Sequence, residues 1–371
     1  MYTTGDILLF PYIMYSSNPF ARIISLIVLI VFMISIFSLI VWRGSAMFGL
    51  SLKWRPIVLI ALWFIAVMVG SFMISSLPGK GFEIAGAVLL WIIYGLIVLS
   101  PLLMVRDIVS IRYKVPALIM GIVSLLWIGF GLYMGTTSKV TPLSITDHRI
   151  SKPLKIAFLS DFHVDAVRKT KYIQRIVDQL KTLQPDFILL WGDLFNTAKL
   201  SYADAFVPFN QLTMPVYATL GNHDNMGESG AVAQLFAKTK IIPLRNQSIV
   251  IDGIQVVGID DKSYRGKQTL TGILDESKIG NEGLYTILVS HQPQNLGKLA
   301  QYPIDLELAG HTHNGQFIPF TWLIWLMNDY AYGRYEREGK LAFVSQGVGA
   351  WWAPIRIGTQ SEIVMVNLKA E

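Results

Sequence analysis

Hydrophobic residues are arranged in two ways along this chain, and the change comes near residue 135. Before it, four runs stay apolar for about five helical turns each, at 23–42, 57–75, 84–105 and 115–134, and none contains Asp, Glu, Lys, Arg or His. A helix needs about 20 apolar residues to cross a hydrocarbon layer. A helix buried in a water-soluble domain normally keeps a polar stripe, so four such runs in succession predict four transmembrane helices. Residues 7–14 are also apolar, but the stretch is short and holds Pro11, which predicts an interfacial segment and not a fifth span. Residues 1–20 carry no Lys or Arg and the run after them is long, so the first span is expected to stay as an anchor instead of being cleaved.

Past residue 135 the apolar runs shorten. Residues 136–151 are polar and include Pro142, which predicts a linker into a domain at 152–371. A strand-like run at 154–160 is followed by Tyr172, Ile173, Ile176, Val177, Leu180 and Leu183 at helical spacing, then by a second run at 186–191. That is a β-α-β unit. Helices at 202–212 and near 230–240, and strands at 216–220, 256–259, 285–290, 305–309, 341–345 and 363–367, complete a layered α/β pattern.

Composition sharpens this division. With 53% hydrophobic residues and a mean hydropathy of +0.47, the 371-residue chain is too apolar for one soluble domain. The net charge of +6 does not indicate nucleic acid, because residues 1–135 hold eight Lys/Arg against three Asp/Glu while residues 136–371 hold 23 against 22. The excess sits in the membrane loops. Arg43, Lys53 and Arg55 follow the first span, Arg106, Arg112 and Lys114 follow the third, and the opposite side has mainly Arg22 and Lys80. Basic loops face the cytoplasm. With an even number of spans, the domain is then expected on the extracytoplasmic side of a bacterial inner or plasma membrane. The chain has no cysteine, which excludes disulfides and thiolate ligands.

Five of the six histidines fall in four short motifs: Asp161-Phe162-His163, Gly221-Asn222-His223-Asp224, Ser290-His291 and Gly310-His311-Thr312-His313. Gly192-Asp193 lies between the first two, and every motif follows a predicted strand, where α/β sheets bind their ligands. Asp161 and His163, two residues apart, can close on one ion. Asp193 can use both carboxylate oxygens to bridge two metals about 3.5–4 Å apart. Asn222 and His291 can serve the second ion, and His311 and His313 can divide between the two. Mixed imidazole and carboxylate donors suit two divalent ions of Mn, Fe, Zn or Ni better than Ca or Mg. His223 is left over as a general acid or transition-state stabiliser. A metal-bridged hydroxide is the expected nucleophile, so no serine or cysteine is required. His148 has no partner motif and reads as a surface residue, and Asp165 reads as a helix cap.

Asp161-x-His163, Gly192-Asp193, Gly221-Asn222-His223-Asp224, His291 and Gly310-His311-x-His313 together resemble the calcineurin-like metallophosphoesterase superfamily. The run Gly310-His-Thr-His-Asn-Gly-Gln316 and the tail Ser345-Gln-Gly-Val-Gly349, Pro354-Ile-Arg356 and Glu362-Ile363 look like its YkuE/YaeI-type bacterial phosphodiesterase branch. The resemblance covers about residues 150–371 and implies a four-layer αββα sandwich that hydrolyses phosphomonoesters, phosphodiesters or pyrophosphates. It implies Asp161, His163, Asp193 and His313 on one metal, Asp193, Asn222, His291 and His311 on the other, and His223 on the phosphate. Asn196 departs from the Asp that many relatives carry at this place, and Asn314 from a frequent Gly.

A membrane-anchored dinuclear metal-dependent phosphohydrolase, with phosphodiesters foremost, is therefore expected. The alternative is a regulatory membrane protein whose phosphoesterase-like domain binds a partner or controls the helices. Against it, the predicted spans lack the ionisable groups that mark ion pathways. Residues 317–327 are unusually apolar for a loop beside a polar site: they either join the core or touch the bilayer, where a phospholipid or lipid-linked phosphate becomes a candidate substrate. Trp351 and Trp352 are open to the same two readings. The expected partners are a phosphoester substrate and the lipid bilayer, with no nucleic acid.

Overall fold

The computed structural model describes residues 117–371, apart from 266–267, 277–282, 319 and 352. The first three predicted spans lie outside the described residues, and the fourth falls on helix α1 (Ala117–Thr136). Among the described residues no helix is long and apolar enough to cross a membrane. The four-helix region is therefore not shown. Residues Gly131–Glu371 form a compact unit.

That unit begins where a linker was expected. Strand β1 (Lys139–Thr146) occupies half of segment 136–151 and alternates its burial, with Leu143 facing inward. The β-branched and apolar residues at every second position give this polar-looking segment a pairing face. Then follow β2 (Leu154–Ser160), α2 (Thr170–Leu183) and β3 (Phe187–Trp191). Helix α2 buries Tyr172, Ile173, Ile176, Val177 and Leu180, the stripe expected from their spacing. The helix expected at 202–212 is a 3-10 stretch, Leu200–Gln211, with Pro208 inside it. Proline supplies no N–H for an α-helical bond, which accounts for the difference.

The chain continues through β4 (Val216–Thr219), α3 (Ala231–Lys238), β5 (Ile242–Pro243), β6 (Gln247–Ile251) and β7 (Ile254–Ile259). Next come α4 (Lys262–Arg265), α5 (Leu270–Glu276), β8 (Tyr285–Ser290), α6 (Leu296–Leu299) and β9 (Leu306–Ala309). Helix α7 (Phe320–Met327), β10 (Gly333–Arg337), β11 (Lys340–Val344) and β12 (Glu362–Lys369) complete it.

The strands form two six-stranded sheets, ordered β1-β12-β2-β3-β4-β5 and β10-β11-β9-β8-β7-β6. Strands β2, β3, β4 and β5 run parallel in the first sheet, and β7, β8, β9 and β11 in the second. Ile156, Phe158 and Leu189 of the first sheet share one buried cluster with Val256, Ile287 and Leu308 of the second. The sheets therefore pack face to face in a mixed α/β sandwich. The outer face of the second sheet, including Val257 and Leu288, is covered by Ile273 and Leu274 of α5 and Leu296 and Leu299 of α6. Side chains fill both faces of these strands, so the only places for chemistry are the strand ends.

Candidate metal centre

Each histidine or carboxylate motif lies just past a parallel strand, and the chain turns abruptly there. Asp161, His163, Asp193, His311 and His313 have φ of 59°, 47°, 51°, 69° and 51°. Left-handed backbone costs about 1 kcal/mol per non-glycine residue. Five such residues at the strand ends of the two sheets are held there by the surrounding fold. The glycines serve close approach. A Cβ on Gly221 would run into the backbone nitrogen and Oδ1 of Asp193, and one on Gly310 into Ser160 Oγ.

The donors gather in two clusters. In the first, His163 Nε2 lies 3.0 Å from His313 Nε2, 3.6 Å from Asp193 Oδ2 and 4.0 Å from Asp161 Oδ1. His313 Nε2 is 3.4 Å from Asp161 Oδ1. In the second, His291 Nε2 lies 3.2 Å from Asp193 Oδ2, 3.1 Å from Asn222 Oδ1 and 3.2 Å from His311 Nδ1. Donors bound at about 2.1 Å around one ion stand about 3.0 Å apart on an octahedron edge and about 3.4 Å on a tetrahedron edge. The spacings of 3.0–3.4 Å match those edges and the two from His163 to the carboxylates, 3.6 and 4.0 Å, are longer, so the donor chemistry of the residues present fits divalent metal. Both clusters share a single atom, Asp193 Oδ2, because Asp193 Oδ1 accepts the backbone N–H of His223 at 2.9 Å. The two-oxygen bridge expected for Asp193 is thus a one-oxygen junction with its other oxygen engaged.

Burial dominates the electrostatics. It pushes the Asp161 carboxyl up to about 6 and the His311 ring down to about 4, and holds His163 and His313 well below the usual imidazole range. His291 goes the other way, to about 10: burial lowers it, but the Asp193 carboxylate outweighs burial. Burial also works against the Asp193 carboxylate, yet His291 and His223 hold it well below its ordinary range. Without a cation, one protonated imidazole therefore balances the buried carboxylates.

His223 stands at the edge of the first cluster, its ring edge-on to His163 with centroids 4.9 Å apart. Its Nδ1 lies 2.8 Å from the Asn196 carbonyl oxygen. A carbonyl only accepts, so Nδ1 carries a proton and Nε2 is the atom left for chemistry. Asn196, noted in the sequence for its side chain, acts through its main chain. Asp224 accepts from Phe195 N at 2.9 Å and Gly221 N at 2.8 Å, fastening the His223 loop to the loop after β3. Burial and then the Asp193 charge push its carboxyl up to about 7. Asp165 accepts from Val167 N and Arg168 N in the turn before α2, whose N-terminal flanking residue is Lys169, so Asp165 shapes the turn and does not cap the helix. His148 is exposed beside Asp147.

Three supporting residues had no role assigned from the sequence. Arg356 is fully buried and donates to Gly349 O at 2.7 Å, His313 O at 3.1 Å and Thr359 Oγ1 at 3.3 Å, and also to Gln346 O. It braces the His313 turn from below. Glu307, a charge inside the apolar strand β9, accepts from Ser290 Oγ at 2.7 Å and Gln294 N at 2.8 Å, fixing the chain on both sides of His291. That misplaced charge was the available signal. Asn314 accepts the indole N–H of Trp325 at 2.7 Å. Residues 320–327 form α7 and are not a loop, and the exposure of Trp322, Trp325 and Leu326 takes those three side chains out of the core. Trp351 is half-buried and 352 lies outside the described residues. A cleft of about 700 Å³ adjoins Asp224 and Asn225, lined also by Met226, Phe236, Arg245 and Tyr264.

Paired histidine and carboxylate clusters at the strand ends of an α/β sandwich define a class, the metal-dependent phosphoester hydrolases. More particularly, residues 154–315 match the calcineurin-like phosphoesterase family model. An uncharacterized metallophosphoesterase of Helicobacter pylori is 30% identical over 250 residues, 65% of this chain and 66% of the relative. A zebrafish (Danio rerio) transmembrane protein with metallophosphoesterase domain is 33% identical over 233 residues, 58% of this chain and 53% of the relative. The uncharacterized metallophosphoesterase YkuE of Bacillus subtilis is 26% identical over 255 residues, 62% of this chain and 86% of the relative. The chain thus spans just under two thirds of the Helicobacter relative and about half of the zebrafish one.

Proposed function

We propose that this protein is a membrane-anchored, dinuclear metal-dependent phosphohydrolase that cleaves phosphodiesters. The observation that carries the reading is the single oxygen, Asp193 Oδ2, common to two clusters of convergent donors. Asp161, His163, His313 and Asp193 would hold one ion, and Asp193, Asn222, His291 and His311 the other. A donor set rich in imidazole favours Mn, Fe, Zn or Ni. Two such ions, when bound, supply Lewis-acid charge and an activated water.

The protein's own part follows from geometry. Asp193 Oδ1 and the Asn196 carbonyl fix the main chain and ring of His223. With Nδ1 committed, His223 Nε2 is the atom that would meet the phosphate; in the Nδ1–H ring it accepts a hydrogen bond, and it hands a proton to the leaving oxygen only from the imidazolium, which carries a proton on both nitrogens. Arg356 and Glu307 keep the His313 and His291 segments in place, so the donors need not reorganise as charge develops. The choice of a diester rests on the resemblance of the Gly310–Gln316 run and the 345–363 tail to the YkuE/YaeI-type phosphodiesterase branch. Anchoring rests on the four apolar runs, on the exposed Leu125, Leu126 and Phe130 of α1, and on relatives named as transmembrane proteins. The loop charges favour an extracytoplasmic domain, and a lipid-linked phosphoester is then a natural substrate.

The test is hydrolysis of bis(p-nitrophenyl) phosphate by detergent-purified full-length protein, stripped by chelation and reloaded with Mn²⁺. Activity should return with metal and be absent from Asp193→Ala and His223→Ala. A metal-loaded wild type that turns over neither this diester nor p-nitrophenyl phosphate would sink the reading.

A further inference from the structure

Helix α7 contains no ionisable residue, and Trp322, Trp325 and Leu326 are 63%, 50% and 84% exposed. Spaced three and one apart, they share one helix face. Large apolar side chains grouped on a surface mark an interaction site.

Two attachments say what covers this face. The first joins α7 to the candidate metal centre: Trp325 donates to Asn314, which follows His313 in sequence, and Phe317 stacks on Phe320 with centroids 5.8 Å apart. The second joins its root to the segment 353–361, through Ile318 N to Ile357 O at 3.1 Å and through Gln316 Nε2 to the carbonyls of Ala353 and Ile355. The same segment receives the last turns of α1. Arg356 N donates to Gly131 O at 2.9 Å, Ser361 N to Met134 O at 3.1 Å, and Ser361 Oγ to Gly135 O at 3.0 Å. The apolar stretch that precedes the unit therefore enters it at the nine residues that also carry the root of α7.

We propose that α7 is a lipid-surface element: Trp322, Trp325 and Leu326 rest in the bilayer interface beside the metal clusters and present them with phosphoesters borne by membrane lipids. This rests on the membrane anchoring proposed above. Indole rings favour the headgroup level, and a short helix with Trp and Leu on one face lies in that plane. Continuity in sequence favours lipid over a protein partner, since the unit's own first residues, Gly131 to Gly135, which directly follow the apolar runs, are hydrogen-bonded to the same 353–361 segment as the root of α7.

The chain has no cysteine, so Leu326→Cys gives a single site for an environment-sensitive NBD label, with Asp178→Cys on exposed α2 as control. The full-length protein is reconstituted in phosphatidylcholine/phosphatidylglycerol vesicles carrying nitroxide-labelled lipid. The label at 326 should shift to the blue and lose more than about half its emission to the quencher, while the label at 178 does neither. A label at 326 that behaves like the one at 178 overturns the proposal. So does a blue shift without quenching, which would mean that protein covers the face. In a second test, Trp322→Ser should lower turnover of a vesicle-borne alkyl p-nitrophenyl phosphodiester several-fold while sparing the soluble diester; equal loss on both overturns substrate delivery. Soluble turnover reports the hydrolase reading on its own, and the quenching result needs no activity, so the two failures are distinguishable.

Discussion

Replacing Gly221 by alanine tests the centre with one methyl group. Gly221 has no positive φ, so alanine meets no backbone strain there. The added carbon would stand 2.9 Å from Asp193 Cγ and closer still to its Oδ1 and backbone nitrogen. Ordinary contact between such atoms is about 3.5–4 Å, so Asp193 must give way by at least about 1 Å. Asp193 is fully engaged, with Oδ1 on His223 N and Oδ2 between the two clusters, so this displacement falls on both donor sets at once. A misplacement of about 1 Å near the chemistry lowers turnover about 100-fold. Gly221→Ala should therefore lose about two orders of magnitude on the soluble diester and bind fewer than two metals by elemental analysis, with a thermal midpoint within a few degrees of wild type. Gly272→Ala, whose new carbon meets only Thr269 Oγ1 at 3.2 Å, is the control and should stay fully active. A Gly221→Ala protein with two metals and wild-type turnover would refute the reasoning.

Metal binding at neutral pH should release about one proton per chain, because His291 with its value near 10 is protonated without metal and must bind as the neutral ring. Calorimetry in two buffers of different ionisation enthalpy reads this release, and affinity should rise with pH up to about 10. Glu307 bears on stability. Its carboxyl is raised by burial from 4.5 to about 7, so its contribution is full below about 4.5 and is lost as pH rises through about 7. Glu307→Gln should accordingly stabilise the unit at pH 8, by an amount on the order of 3 kcal/mol, but not at pH 4.5, read as a rise of the thermal midpoint at the higher pH alone. Arg356→Met strands the Gly349, Gln346 and His313 carbonyls and should destabilise the unit by about 3–5 kcal/mol, lowering its melting temperature and loosening metal binding together.

The sequence was most informative where periodicity and chemistry coincided. Strands 154–160 and 285–290 were legible to the residue because short apolar runs end on polar motifs, and the stripe on α2 lay at helical spacing. The residues expected to converge do converge in space: Asp161, His163 and His313 in one group, and Asp193, His291 and His311 in another. Strand β1 was hidden because Lys139, Thr141, Ser144 and Thr146 interrupt its apolar residues and Pro142 lies within it, and its pairing with β12 is set by residues more than 200 positions away. The single-oxygen junction at Asp193 was not legible either, since it depends on where the His223 N–H arrives. Arg356 gave no periodic signal at all: a lone arginine in a tail becomes a brace only once the acceptors of its own segment and the distant His313 carbonyl close around it.

The most direct measurement is electron paramagnetic resonance of the Mn²⁺-loaded full-length protein during titration to two equivalents, followed with diester turnover. One oxygen shared by both clusters predicts a spin-coupled signal that grows in with the second equivalent, in step with activity, and is absent from Asp193→Ala. Full activity with a single uncoupled Mn²⁺ would contradict the account.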